Sequence, residues 1–277
     1  MPADFFKGRT LLIVTKHGKE KVIGPLLQQH LGVNIQVCST FDTDQFGTFT
    51  GEVERKNSAP DTLSLKLRTA MEQTGHTLAV GSEGSFGPHP QLPFLPADEE
   101  YLLLLDAENN FEIWGRHLSH QTNFAHQTVN DWPALRAFAE EVYFPSHKLI
   151  LRSASGQIVK DIADWPTLES VAHQALRAGA VQAETDMRAM NNPTRMEVIA
   201  AATQNLVEAA LAQCPACEKP GFTVTDGERG LPCAQCGQPT SAVLKFIRSC
   251  KNCAHQQEQW YPHGEVCDPQ YCEYCNP

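Results

Sequence analysis

Arg9-Thr-Leu-Leu-Ile-Val-Thr15, then Lys16-His-Gly-Lys-Glu20, is the stretch that decides the fold. The first piece is a short run of β-branched and aliphatic residues, which reads as a buried strand. A loop follows. From Lys21 to Leu31, apolar residues at 22, 23, 26, 27 and 31 keep a helical period, and Gly32 stops them. Asn34 to Thr40 reads as a second strand. Strand, loop, helix and strand in this order is the opening of an α/β domain.

Outward from this unit the alternation continues. Asp61 is expected to cap a helix that runs to about Gly75, with Leu63, Leu67, Ala70 and Met71 on one face. Leu78-Ala-Val80 is a third strand, running into a glycine-rich loop, Gly81 to Pro90. Glu100–Asp106 and Asn110–Gly115 form a hairpin. A helix near 133–141, a strand at 147–152 and a helix near 166–176 follow. The last helix is the clearest: Asn192 caps it, Pro193 opens it, and Met196, Ile199, Ala200, Thr203, Leu206, Val207 and Ala210 make a continuous stripe. The expected fold is α/β or α+β with a mixed sheet over residues 1–211, plus a small tandem zinc-ribbon domain over 212–277.

That tail carries the strongest chemical signal. Nine of the ten cysteines follow residue 213. Nothing at the N-terminus resembles a signal peptide, so metal explains them better than disulfides and the cytoplasm is the expected compartment. Cys214-x₂-Cys217-x₁₅-Cys233-x₂-Cys236 has the spacing of a four-cysteine zinc ribbon, and Cys250-x₂-Cys253-x₁₈-Cys272-x₂-Cys275 repeats it. The same spacings also permit a cross-brace, first pair with third and second with fourth. Either way two structural zinc ions are expected. They would supply folding free energy, on the order of 10 kcal/mol each, that the short apolar pieces between the knuckles cannot. Cys267, His255 and His263 remain outside both sets.

Charge narrows the partners. The whole chain carries −10, and the tail −2 before metal. Each four-thiolate zinc site adds another −2, so nucleic acid is a poor partner. A protein partner through the tail fits better. No apolar run is long enough to cross a membrane. A small phosphorylated molecule needs only a local basic pocket.

Three polar clusters offer such chemistry. Thr15, Lys16, His17 and Lys19 lie between a strand end and a helix start, where free amides and a dipole favour phosphate; a solvated loop is the alternative. Glu83 and Ser85 sit in the glycine-rich segment, where Glu83 could serve as metal ligand or general base; the alternative is an exposed acid on a long turn. Asp186 to Arg195 supplies Arg188, Asn192 and Arg195, suited to phosphate or a base edge, or to a helix cap and ion pairs. Among Asp42, Asp44, Glu52, Glu54 and Asp61 some could hold Mg²⁺, which takes a few carboxylates and keeps its waters; solvated surface acids are the alternative.

Thr15-Lys-His-Gly-Lys-Glu20, Asp42 to Gly51, Ser82 to Pro90, Asp186-Met-Arg-Ala and the twin ribbon ending Tyr271-Cys-Glu-Tyr-Cys-Asn-Pro277 together resemble an uncharacterised bacterial family of unknown function. The first 90 residues are also similar to the inosine/xanthosine triphosphate pyrophosphatases, in the order strand, Thr15 loop, helix, Asp61…Lys66 helix, strand and Ser82-Glu83-Gly84. That resemblance implies a Mg²⁺-dependent nucleotide hydrolase. In it Thr15 and Lys19 would hold phosphate, Asp61 and Glu83 would hold Mg²⁺, Lys66 would neutralise charge, and Arg188 and Arg195 would contact the nucleotide. The sequence departs from that family at His17, where asparagine is expected, and lacks its Ser-His-Arg segment. The alternative is a non-enzymatic small-ligand or protein-binding module with structural zinc.

Overall fold

A computed structural model describes residues 2–38 and 58–277. The acids at 42, 44, 52 and 54, and the end of the second expected strand, lie outside the described residues. The chain divides into two compact units, residues 6–207 and residues 1–5 with 208–277.

The larger unit is built on two sheets. Strands β1 (Thr10–Val14) and β2 (Asn34–Val37) flank helix α1 (Glu20–Leu31), and helix α2 (Ala59–Thr74) leads into β3 (Leu78–Pro88). β4 (Pro96–Asp106) and β5 (Phe111–Ser119) complete a five-stranded sheet of order β2-β1-β3-β4-β5. Its first three strands are parallel and its last pairings antiparallel, a mixed sheet as expected. Ser58, not Asp61, caps α2: its hydroxyl accepts from the Asp61 amide at 3.3 Å. Asp61 instead closes the cap from inside the first turn, with Ser58 Oγ 2.5 Å from its carboxylate.

The glycine-rich segment after Val80 is strand, not loop. β3 runs unbroken through Gly81, Gly84 and Gly87 because β4 pairs with it along its whole length, from Leu78 opposite Asp106 to Pro88 opposite Pro96. Each glycine lost to propensity is repaid by a ladder and by close packing. A side chain at Gly81 would press on Leu63 and Leu67 of α2, each 3.0 Å from the position of its Cβ.

The two faces of this sheet bury different things. Leu12, Val14, Ala79, Leu103 and Leu105 pack with Leu63, Leu67, Ala70 and Met71 under α2. The opposite face carries α1 and helix α5 (Pro193–Leu211). α5 approaches so closely that a Cβ at Gly115 would overlap the Ala202 carbonyl and Leu206.

The second sheet, of order β6-β9-β7-β8, is antiparallel throughout. It comprises β6 (His126–Val129), β7 (Leu149–Ser153), β8 (Ile158–Ile162) and β9 (Val181–Thr185), with α3 (Trp132–Glu141) and α4 (Trp165–Leu176) on one face. Val181, Ala183, Leu149 and Leu151 point to those helices and share a core with Leu135, Phe138 and Leu168. β6, β8 and β9 are additions to the expected elements.

The smaller unit has a three-stranded antiparallel sheet, β10 (Thr223–Arg229), β11 (Val243–Ser249) and β12 (Gln256–Trp260). Among the described residues no helix is long and apolar enough to cross a membrane.

Candidate functional site

The cysteines gather in two groups of four, but not in the sequential ribbon order. Cys214, Cys217, Cys250 and Cys253 form one; Cys233, Cys236, Cys272 and Cys275 form the other. Of the two pairings that the spacings leave open, the cysteines take the cross-brace. The spacings x₁₅ and x₁₈ fit both arrangements, and antiparallel β11, sitting between β10 and β12, carries the third knuckle back to the first. Within each group the sulfurs lie within 4.8 Å of one another. Across knuckles they stand 3.7 Å (Cys214–Cys253), 3.6 Å (Cys217–Cys250), 3.8 Å (Cys233–Cys275) and 3.7 Å (Cys236–Cys272). A tetrahedron with metal–sulfur bonds of about 2.3 Å has edges of about 3.8 Å. Both groups are compatible with one structural metal ion each.

Three of the four knuckles share one backbone design. The amides of Cys214, Cys233 and Cys250 each donate to the carbonyl five residues on, and each cysteine's carbonyl accepts from the amide four residues on. The residue at that fourth position, Glu218, Gly237 or Ala254, is left-handed, with φ of 59°, 72° and 58°. Amides also point at sulfur. Hydrogen bonding from the Lys219 backbone draws the Cys217 thiol down to about 6, and the Cys236 and Gln235 amides draw Cys233 to about 7. Cys267 is a framework residue: its amide donates to the Pro232 carbonyl and its carbonyl accepts from Ala234. His255 and His263 rest against Phe222 and Phe246.

In the larger unit one residue from each of three polar stretches, Lys19, Ser82 and Arg195, comes to one face of the first sheet. Lys19, buried at the start of α1, donates to Ser82 Oγ at 3.1 Å, joining the carboxyl end of β1 to the middle of β3. This is the point where strand order reverses, β1 leading to β2 on one side and β2 returning to β3 on the other, the usual place for a ligand in such sheets. Lys19 Nζ lies 3.9 Å from Glu100 Oε2. Arg195, near the start of α5, donates through Nε to Glu100 Oε1 at 2.7 Å and through Nη1 to the Met187 carbonyl. Its guanidinium lies 4.8 Å from the Phe86 ring centroid.

Register fixes the common face. Gly84 stands opposite Glu100, and Phe86 opposite Asp98, so Asp98 and Glu100 project together, two residues apart on β4. Both are 0% exposed. Among the described residues, neither Asp98 oxygen has a hydrogen-bond partner, nor has Glu100 Oε2 or Thr15 Oγ1. Burial, and then the Glu100 charge, push the Asp98 carboxyl up to about 8. Burial, partly offset by Glu100, brings the Lys19 ammonium down to about 8. Two adjacent groups of opposite kind thus titrate in the same range. On the next strand Ser119 stands opposite Asp98 and His117 opposite Glu100. Both line an open cavity of about 190 Å³ together with Gln121, Thr194 and Glu197.

Other expected site residues lie elsewhere. Glu83 is on the α2 face, paired with Lys66 and so separated by the sheet from Glu100 and Arg195. Asp61 is exposed at the start of α2 and bonded to Ser58. The magnesium site expected of Asp61 and Glu83 therefore has no fit here. Ser85 is exposed, and Lys16 and His17 are half-buried in the β1–α1 loop. Asn192 caps α5 as expected, its Oδ1 accepting from the Arg195 amide at 3.0 Å while Nδ2 donates to Asn123. Arg188 pairs with Asp186 and Asp161. The residues that sequence reasoning missed are Asp98 and Glu100. Their signal was the run Asp98-x-Glu100-x-Leu102-x-Leu104, which places two acids on the inward face of a core strand.

A family model described as a domain of unknown function, DUF6671, matches residues 66–277. The chain belongs to this family. The match takes in Lys66, β3, β4, the whole second sheet, α5 and all eight clustered cysteines. No curated protein and no solved structure matches the chain.

Proposed function

We propose that this DUF6671 protein is a two-zinc protein whose larger unit hydrolyses a phosphate ester of a small molecule. The observation that carries the reading is the meeting of Lys19, Ser82, Glu100 and Arg195 beside Asp98, whose oxygens have no partner among the described residues. In this reading the ligand enters from the cavity beside His117 and Ser119. Lys19 offsets charge on the phosphoryl oxygens. Water attacks phosphorus, the ester P–O bond breaks, and protonated Asp98 gives its proton to the departing oxygen. The proton released by the attacking water then returns to Asp98. Glu100, held by Arg195, keeps Lys19 in place.

Zinc is the metal that four-thiolate tetrahedra with these edges fit best, and closed sites of this kind are structural. When bound it ties the four knuckles together and takes no part in the reaction. The zinc-bearing unit also displays Trp260, Tyr271 and Tyr274, 49%, 66% and 70% exposed, which supports its docking to a protein partner.

A second reading, binding without turnover, is favoured by one observation: Lys66, Arg188 and Arg195 are each matched by an internal carboxylate. One experiment separates the two. Zinc-loaded protein is assayed for phosphate and pyrophosphate release on a panel of nucleotides and phosphomonoesters, with and without magnesium. Release that falls at least tenfold in Asp98→Asn supports the hydrolase. No release on any compound leaves binding alone.

A further inference from the structure

A second cavity lies on the face of the second sheet opposite its two helices. It has a volume of about 220 Å³, and Phe124, Ile150 and Met187 form apolar walls. Register places His126 and Ile150 opposite Glu184 on its two sides, so all three face the same way. The volume falls below the roughly 300–1,000 Å³ of drug-sized sites. It suits a single small ring system.

The polar groups on its lining are fixed before any ligand arrives. Asp186 is fully buried and accepts from Arg188 Nε at 3.0 Å and from Asn191 Nδ2 at 2.8 Å. Arg188 Nη2 reaches Asp161 at 3.0 Å. These bonds hold the guanidinium by Nε and Nη2. Among the described residues Nη1 makes no hydrogen bond, so two donors remain on a rigid planar group. Two residues before Asp186, Glu184 shares the lining, and its Oε1 accepts from Arg152 Nε at 2.7 Å. Its Oε2 has no bond among the described residues and is left as an acceptor.

Charge excludes an anion. Arg188 is already matched by Asp186 and Asp161, and a phosphate or carboxylate placed here would meet Glu184 and Asp186 as well. What fits is neutral and flat, with a hydrogen-bond acceptor for Arg188 and a donor for Glu184 at one edge. A carbonyl or ring nitrogen beside an exocyclic amine or ring N–H is that edge, and arginine and glutamate are the side chains that read it on bases. We infer that this cavity binds a nucleobase-type heterocycle. The inference rests on the proposed small-molecule reading only in that such a base would belong to the same substrate. The Lys19–Glu100–Arg195 group and the cavity adjoin: Met187 lines the cavity and its carbonyl accepts from Arg195, and Phe86 touches both Arg195 and Phe124.

The test uses the zinc-loaded full chain and nucleosides, which carry no phosphate. Adenosine, guanosine, cytidine and uridine are titrated by calorimetry, with saturation-transfer NMR for weak binders. At least one nucleoside is expected to bind saturably. Ile150→Trp, which fills the cavity, should abolish that binding. Glu184→Gln, at a half-buried position, should weaken it about tenfold or change which nucleoside is preferred. Binding to none of the four, or binding indifferent to both variants, overturns the inference. Nucleoside binding with no phosphate release on any ester keeps the base site and removes the hydrolase. Release from esters that lack a base, with no nucleoside binding, does the reverse.

Discussion

Arg195 on α5 grips Glu100 on β4 directly above Gly84 of β3, with the Arg195 Nε to Glu100 Oε1 bond at 2.7 Å. Ninety-five residues of chain separate the two partners. Both are buried, so neither charge is tolerated without the other; removing one partner of such a pair costs roughly 3–5 kcal/mol.

The glycine is the permissive element. A Cβ at position 84 would overlap Glu100 Oε1 and Arg195 Nη2 together. Gly84→Ala is therefore expected to destabilise the larger unit by roughly 1–3 kcal/mol through overpacking, seen as a lower thermal midpoint. Gly87→Ala, where a Cβ meets nothing within 4 Å, should be close to neutral. Equal effects of the two changes would contradict this packing.

Asp98 sets a pH dependence whose sign is unusual for a carboxylate. Its folded value is raised to about 8 from 3.8, so between these values the folded state holds a proton that the unfolded chain has lost. Stability then falls as pH rises through that window. Between pH 6 and 8 the wild type should lose thermal stability relative to Asp98→Asn, which cannot ionise. Above 8 the lowered Lys19 acts in the opposite direction, because there the unfolded chain holds the extra proton. A constant difference between the two proteins from pH 6 to 8 would contradict the assignment.

Interleaved pairing makes the two metal sites interdependent. Tandem ribbons would each keep their own metal when the other is broken. In the cross-brace, Cys250→Ser opens the site shared with Cys214, Cys217 and Cys253, and the freed first and third knuckles also flank the strands that position the second site. Zinc content by mass spectrometry under native conditions should fall from two toward zero, with bound zinc lost at lower chelator concentration. Retention of one tightly held zinc would favour independent sites.

Much of the frame was legible because its signals are local. The apolar run from Thr10 to Val14, the period from Val22 to Leu31, and the Asn192-Pro193 start of α5 each reflect neighbours in sequence. The glycine-rich part of β3 was not legible, because only its pairing with β4 makes it a strand. β6, β8 and β9 are short and half-polar, too brief to show a period. The cysteine spacings were clear while their partners were not. At the site, Lys19 and Arg195 stood out by type and place. Asp98 and Glu100 gain meaning only when β4 turns them inward against those cations, and the face that Glu83 takes was not legible because its segment reads as a loop until β4 pairs with it.

The measurement that bears most directly on the proposed site is a comparison of two charge removals across the same sheet. Lys19→Met takes the ammonium from the Ser82–Glu100 face. The double variant Lys66→Met with Glu83→Gln dissolves the pair on the α2 face without leaving either charge stranded. With phosphate release measured on the best compound of the panel, Lys19→Met should lose at least a hundredfold while the double variant stays near wild type. Loss in the double variant with Lys19→Met unaffected would place the chemistry on the α2 face and contradict the account.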